Sequence, residues 1–388
     1  MNITAMEQIK VTRSLGDSHV SDFKIKVNAI LSNLNVPTRS DEAWRKFPIN
    51  QIDMESILAK GVVVDKVEDR LSDQENKVVQ QILATLLGSI KDDYFALLAL
   101  SQATKYQFIY IDEKNQRDEL LEIDFNLSGD QNQSLVNLVY VAPNCKQKLR
   151  ETLGSLPIEG KSRFFNSLSF YFVSQNSFLD VLTTEDFDED STRVRFVCSH
   201  QESDSGLSIY PFFFRGFRGK TFYHSILKGN GSEYLLTGVS ALSKREFLDI
   251  DAKVTHLRDF TTSRIQYKAI VSDRSHHVFT GNLSIPNSVK KANAHQESQN
   301  LSLNKKARAE ANPKLEVMAE DVSCTHGATV GDISDEQLFY LLSRGLDLTE
   351  SKSLLIAAFY EETVGKIPFS DTIKAEISEK IRTQALGI

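Results

Sequence analysis

The chain has 388 residues, 41 % of them hydrophobic and 25 % charged, with a net charge of −7. That length suggests two or three domains of ordinary globular composition. The acidic balance gives no footprint for a nucleic-acid backbone or an anionic membrane surface, and no apolar run approaches the roughly 18 residues that a membrane span needs. Met1–Glu7 lacks the charged-then-apolar layout of a signal peptide, so a cytoplasmic location is expected.

Residues 1–110 read as helical. Val20, Phe23, Val27, Ile30, Leu31 and Leu34 recur at three- and four-residue steps and make one apolar stripe. Asp17 or Ser18 can cap its start, and Pro37 lies beyond its end. A second stripe carries Val78, Val79, Ile82, Leu83, Leu86 and Leu87, and a third helix runs through Tyr94–Leu100. Trp44, the only tryptophan, is expected to be a core or interdomain anchor.

From about residue 105 the period changes. Phe108–Ile111, Val136–Val141, Ser167–Val173, Arg193–Val197, Leu207–Tyr210, Lys220–Ile226, Ser263–Ile270 and Val278–Ile285 are rich in β-branched and aromatic residues. Turn-forming Gly, Asn, Asp and Ser separate them, and no long helix intervenes. A mostly β middle follows, as a sandwich, a barrel or a β-helix. No clean hexapeptide repeat selects the last of these. The stretch from Lys290-Lys291 to Lys305-Lys306 reads as solvated surface with basic ends, within which Gln296, Gln299 and Asn300 could form side-chain ladders.

Beyond Gly331 the helical period returns. Ser334 and Gln337 have the spacing of a capping box, and Arg344-Gly345 closes the helix that follows with a basic turn and a C-terminal glycine. Thr349-Glu350 opens a second helix through Leu354, Leu355, Ala358 and Phe359. Ser370-Asp371 opens a third, with Ile373, Ile377 and Ile381 at four-residue steps. Such a small helical unit suits a lid on the β core or a docking head for a partner.

The chemistry concentrates at Cys324-Thr325-His326, after a run that reads as strand and before a glycine-bounded turn. Residues i and i+2 of an extended chain face the same way, so thiol and imidazole can address one target. Cys145, Cys198 and Cys324 are the only cysteines and lie far apart, which fits a reducing compartment and argues against a self-contained zinc or four-thiolate site. A buried thiol beside a structural histidine is the commoner meaning of such a pair. A nucleophile with His326 as its base would need an orienting group and an oxyanion site. Ligation needs only further ligands from elsewhere, and an imidazole, less charged than a thiolate, suits a cluster that must be released. Asp249 and Asp251 have the spacing of a same-face carboxylate pair for glycoside chemistry. No P-loop is present.

The runs Asn312–Val317, Asp321–Gly331 and Asp335–Gly345, preceded by Gln296 and Asn300–Leu303, match in order and spacing the SufB/SufD family of iron–sulfur cluster assembly proteins. Asp41–Phe47 adds a looser likeness. Length and cysteine content resemble the SufD branch more than SufB, which is longer and richer in cysteine. The resemblance implies an α+β chain: an N-terminal helical domain (1–110), a right-handed parallel β-helix core (111–330) and a C-terminal helical domain (331–388). It implies a non-catalytic scaffold that pairs with SufB through the core and docks the SufC ATPase through its terminal helices. His326 falls on the family's interfacial histidine and Cys324 on its neighbouring cysteine, as ligands of a transient iron–sulfur cluster shared with SufB. Arg344, Gly345, Leu355 and Phe359 become candidates for the SufC contact. A flavin in the assembled complex and a homodimer in isolation are compatible with this reading. A β-helix carbohydrate-active enzyme and a cysteine hydrolase using Cys324 and His326 are the alternatives.

Overall fold

The computed structural model describes residues 12–59, 69–127, 132–156 and 162–387. Helices α1 (Asp17–Leu31), α2 (Met54–Ala59), α3 (Asp73–Ile90) and α4 (Tyr94–Ser101) precede the strands. Val20, Phe23 and Val27 of the first stripe are buried, as are five of the six residues of the second. Gly16, rather than Asp17 or Ser18, stands at the N-cap of α1, without a side-chain cap. For α3, Ser72 and Glu75 form a reciprocal capping box.

The middle of the chain is a parallel β-helix in which each turn contributes one strand to each of two facing sheets. After the short β1 (Thr12–Ser14), one sheet contains β2 (Lys105–Ile111), β4 (Gln133–Val141), β6 (Arg163–Val173), β8 (Ser191–Gln201), β10 (Arg218–Leu227), β12 (Phe247–His256), β14 (His276–Ile285) and β16 (Arg308–Val317). The facing sheet contains β3 (Leu121–Leu127), β5 (Lys146–Ser155), β7 (Phe178–Asp186), β9 (Gly206–Arg215), β11 (Glu233–Leu242), β13 (Thr262–Val271), β15 (Asn293–Ser302) and β17 (Ser323–Asp332). Among the described strands only β1 pairs antiparallel, on β2. The stretch expected to be solvated surface holds β15, whose residues alternate between half-exposed and buried. Its Gln and Asn side chains form no ladder: Gln299 donates to Glu297, and Asn300 to Ser298 and to the Thr329 carbonyl.

One corner of each turn is made by a residue in the left-handed backbone region: Asn144, Asn176, Asp204, Gly231, Phe260 and Lys291. Each donates its backbone N–H to a carbonyl of the following turn, as Asn176 does to Ser203 and Asp204 to Asn230. The corner column thus carries the hydrogen-bond ladder around the bend. Asn, Asp and Gly predominate there because they reach this conformation at low cost.

Between the sheets lies a core of Val, Ile, Leu and aromatic side chains interrupted by one charged layer. Arg195 Nη2 meets Glu151 at 2.6 Å, and Glu151 also accepts from Tyr171 at 2.8 Å and Asn137 at 2.7 Å. Arg193 pairs with Glu185 beside it. Because the ions satisfy one another, their burial is tolerable; removing one partner would strand a charge. The outer face of the first sheet is covered by the N-terminal helices. Trp44 sits there between Phe95 of α4 and Phe222 of β10, at ring distances of 4.9 and 5.5 Å. The outer face of the second sheet is covered by α6 (Leu348–Lys366) and α7 (Asp371–Leu386).

Burial depresses three imidazoles, His200 and His256 to about 4 and His277 to about 3. Unfolded, each titrates near its ordinary value of about 6.5, so the unfolded chain takes up protons that the fold refuses. The stability that is intact above that value is lost as pH falls toward the folded values. The urea midpoint should therefore drop between pH 7 and about 5. His277→Phe should remove about one proton from that dependence. Midpoints measured across this range check both statements; a flat profile would contradict them.

Candidate functional site

Cys324 and His326 lie together on β17, the last strand of its sheet. The run beyond them is not the expected turn: Gly327–Gly331 continues the strand in register with Glu297–Leu301. Ala294, which pairs with Cys324, is buried, and Gln296, which pairs with His326, is 2 % exposed. Parallel in-register pairing keeps side-chain direction, so thiol and imidazole both stand on the inner face of the β-helix. Their Cα atoms are about 6.7 Å apart along the strand.

No described strand follows β17 or β16 in its sheet. The inner face of the last turn is therefore open, which leaves Cys324 half-buried and His326 exposed. Gln296 forms the floor under His326. Its amide donates to the Lys314 carbonyl at 3.2 Å, while its Oε1 has no partner. That oxygen rests where a side chain at Gly281 would stand, 2.2 Å from an ideal Cβ. Leu315, Met318 and Val330 are exposed around the same opening, at 38, 74 and 58 %.

The pair lacks the features of a hydrolase. No hydrogen bond joins Cys324 to His326, and burial pushes the thiol above its ordinary value; an activated cysteine shows the opposite shift. Among the described residues no group of three or more His, Cys, Asp or Glu is placed to hold a metal ion. Two donors facing an open edge are an incomplete ligand set that a second surface can complete. The carboxylate pair weighed for glycoside chemistry is also closed off. Asp249 and Lys220 form a 2.9 Å ion pair with both side chains about 2–3 % exposed, and burial raises Asp249 to about 6. Asp251 faces His224 at 3.6 Å. Phe47 packs on the ring of Phe247, two residues before Asp249 on β12.

The expected docking residues fall into two groups. Arg344 caps α5 (Asp335–Ser343), is exposed, and lies over the Tyr340 ring at 5.0 Å. Gly345 follows in the left-handed region, at φ 93°. Leu355 and Phe359, on α6, are half-buried. Phe359 is committed inward: its ring lies under Lys268 Nζ, which also donates to its carbonyl at 2.7 Å. The helix start has the serine half of the expected box, with Ser334 accepting from Gln337 N. Sequence reasoning missed the more exposed apolar set. α5 buries no residue, and Phe339, Tyr340, Leu342, Leu348 and Leu354 are 40–73 % exposed. Periodicity makes Leu338, Phe339, Leu341 and Leu342 look like the core stripe of a packed helix, so only the structure shows α5 touching α6 rather than a sheet.

The family model for the SUF-system iron–sulfur cluster assembly SufBD core domain matches residues 125–359. The SufD protein of Escherichia coli (strain K12) is 37 % identical over 136 residues, 35 % of this chain and 32 % of that protein. SufD of Bacillus subtilis (strain 168) is 34 % identical over 126 residues, 32 % of this chain and 29 % of that protein. SufB of the same organism is 28 % identical over 149 residues, 38 % of this chain and 32 % of that protein. These matches span about a third of each relative's length, and the similarity to SufD exceeds that to SufB.

The three thiols differ in access: Cys145 and Cys198 are buried and Cys324 is half-buried. An alkylating reagent should modify Cys324 first and the other two only on denaturation, with peptide mass mapping as the readout. Early modification of Cys198 would contradict the placement.

Proposed function

The chain belongs to the SUF-system iron–sulfur cluster assembly family that carries the SufBD core domain, and from that premise we propose that it is a non-catalytic scaffold subunit. Its partner across the open end of the β-helix is SufB, and its cargo is a nascent iron–sulfur cluster. His326 is the ligand this chain offers, and Cys324 is a supporting thiol at the same edge. The observation that carries the reading is the open last turn, with two donors on its inner face and unpaired strand edges beside them. Unpaired edges are ready templates for strand addition, so a second subunit bringing its own edge would bury the pair and supply the missing ligands. Without SufB, a second copy of the chain can use the same edges.

The SufC ATPase docks on α5 and the start of α6. Here the exposed Phe339, Tyr340, Leu342, Leu348 and Leu354 form the contact, with Arg344 at its rim and Gly345 setting the bend between the two helices. Of the two α6 candidates, Leu355 lies closer to that surface in character than Phe359, which holds α6 to the β-helix. A cluster of exposed apolar side chains on a helix otherwise free of core contacts marks an interaction surface.

Anaerobic co-purification with SufB and SufC, followed by iron and sulfide analysis, tests both parts. His326→Ala should leave the complex assembled and lower its iron and sulfide several-fold. Equal cluster content in the two would remove His326 from the site. Phe339→Glu with Leu354→Glu should release SufC and retain SufB; retention of SufC would move the dock elsewhere.

A further inference from the structure

The segment Asp41–Phe47 lies on the outer face of the first sheet, outside both proposed partner contacts. The chain leading into it is folded on itself. The Thr38 N–H and hydroxyl both donate to Asp41 Oδ2, at 2.6 and 3.1 Å. Arg39 Nε donates to the Arg45 carbonyl at 3.2 Å. One short helical turn, Glu42–Trp44, follows. Trp44 and Phe47 are buried and anchor the segment, Trp44 on Phe222 of β10 and Phe47 on Phe247 of β12.

From these anchors the segment reaches the last strand of the sheet. Lys46 Nζ meets Glu310 of β16 at 2.7 Å, and Glu42 pairs with Lys314 of the same strand. Glu310 also lies 2.9 Å from His276 Nε2 of β14. The His276 ring stands edge-on to Phe247 at 5.1 Å, and Phe247 meets Phe47 at 5.9 Å. The contacts close a circuit that leaves Phe47, crosses β12, β14 and β16, and returns at Lys46.

An isolated ion pair with side chains 47 and 33 % exposed would contribute little. Here Lys46 shares Glu310 with His276, and the strand they hold has a hydrogen-bonded neighbour on one side only. Such a strand opens at low free energy, so a modest loss of support changes its open population measurably. Lys314 joins the two faces of the sheet. Its ammonium pairs with Glu42 outside, and its carbonyl accepts from the Gln296 amide beneath His326.

We propose that Asp41–Phe47 is a brace that positions the partner-binding edge: Glu42 and Lys46 hold β16, and through the Lys314 carbonyl they hold the Gln296 floor under His326. Both are positioning residues and neither touches the proposed cluster. The inference rests on the reading of the last turn as the SufB site.

Hydrogen–deuterium exchange of the full chain alone tests the brace without any partner. In Lys46→Gln and in Glu42→Lys, the β16 amides bonded to β14 should exchange about threefold faster or more, with β8 and β10 unchanged. Affinity for SufB should fall several-fold in the same variants. Glu42→Lys combined with Lys314→Glu rebuilds the pair with its charges reversed and should restore both readings toward wild type. Direct contact of Glu42 with the partner would not be rescued in that way. Unchanged β16 exchange in both variants would overturn the brace. Faster exchange with wild-type SufB affinity would overturn its link to the partner. Failure of the wild-type chain to bind SufB would instead be the failure of the underlying reading, and the exchange result does not depend on it.

Discussion

A parallel β-helix satisfies its backbone only by stacking: each turn supplies the hydrogen-bond partners of the next, and the two ends are left over. Here the β2 edge of the first turn is covered by β1, paired antiparallel on it, while β3 in the facing sheet has no described strand beyond it. The last turn has no such cover. The proposed cluster site depends on this asymmetry, because Cys324 and His326 occupy inner-face positions whose counterparts one turn earlier are core. Ala294 and Gln296, one turn before, are buried in the same columns.

Stacking also explains how the interior can hold charge. Arg195, Tyr171 and Asn137 come from β8, β6 and β4 of one sheet, at neighbouring inner-face levels, and Glu151 of β5 reaches all three from the facing sheet. Such a layer constrains register, since a one-residue slip would turn its members to the outside. The exposed face of α5 is the complementary case. It belongs to a helix that the sheets do not use, so its apolar residues are free for a partner.

The helical ends were legible because caps and stripes are local. Ser370 accepts from Ile373 N at the start of α7, and Asp347 and Glu350 form the box that opens α6, near the expected Thr349-Glu350. The aromatic and β-branched strands were legible for the same reason. β15 was not, since its inner positions are Ala294, Gln296, Ser298, Asn300 and Ser302, small or polar residues that read as surface until the neighbouring turns enclose them. Nor could the repeat be found by period: Arg218 pairs with Thr192 on one side and Phe247 on the other, 26 and 29 residues away. The Cys-x-His pair was visible, but its strand context was not, because two glycines suggest a turn when the pairing partner is unknown.

We propose the open last turn as the place where a SufB subunit binds. Hydrogen–deuterium exchange of this chain, alone and with SufB, tests it most directly. Amides of β16 and β17 should exchange rapidly alone and slow by about tenfold or more in the complex, while strands of the middle turns are unchanged. Unaltered exchange in β16 and β17, with protection appearing elsewhere, would contradict it.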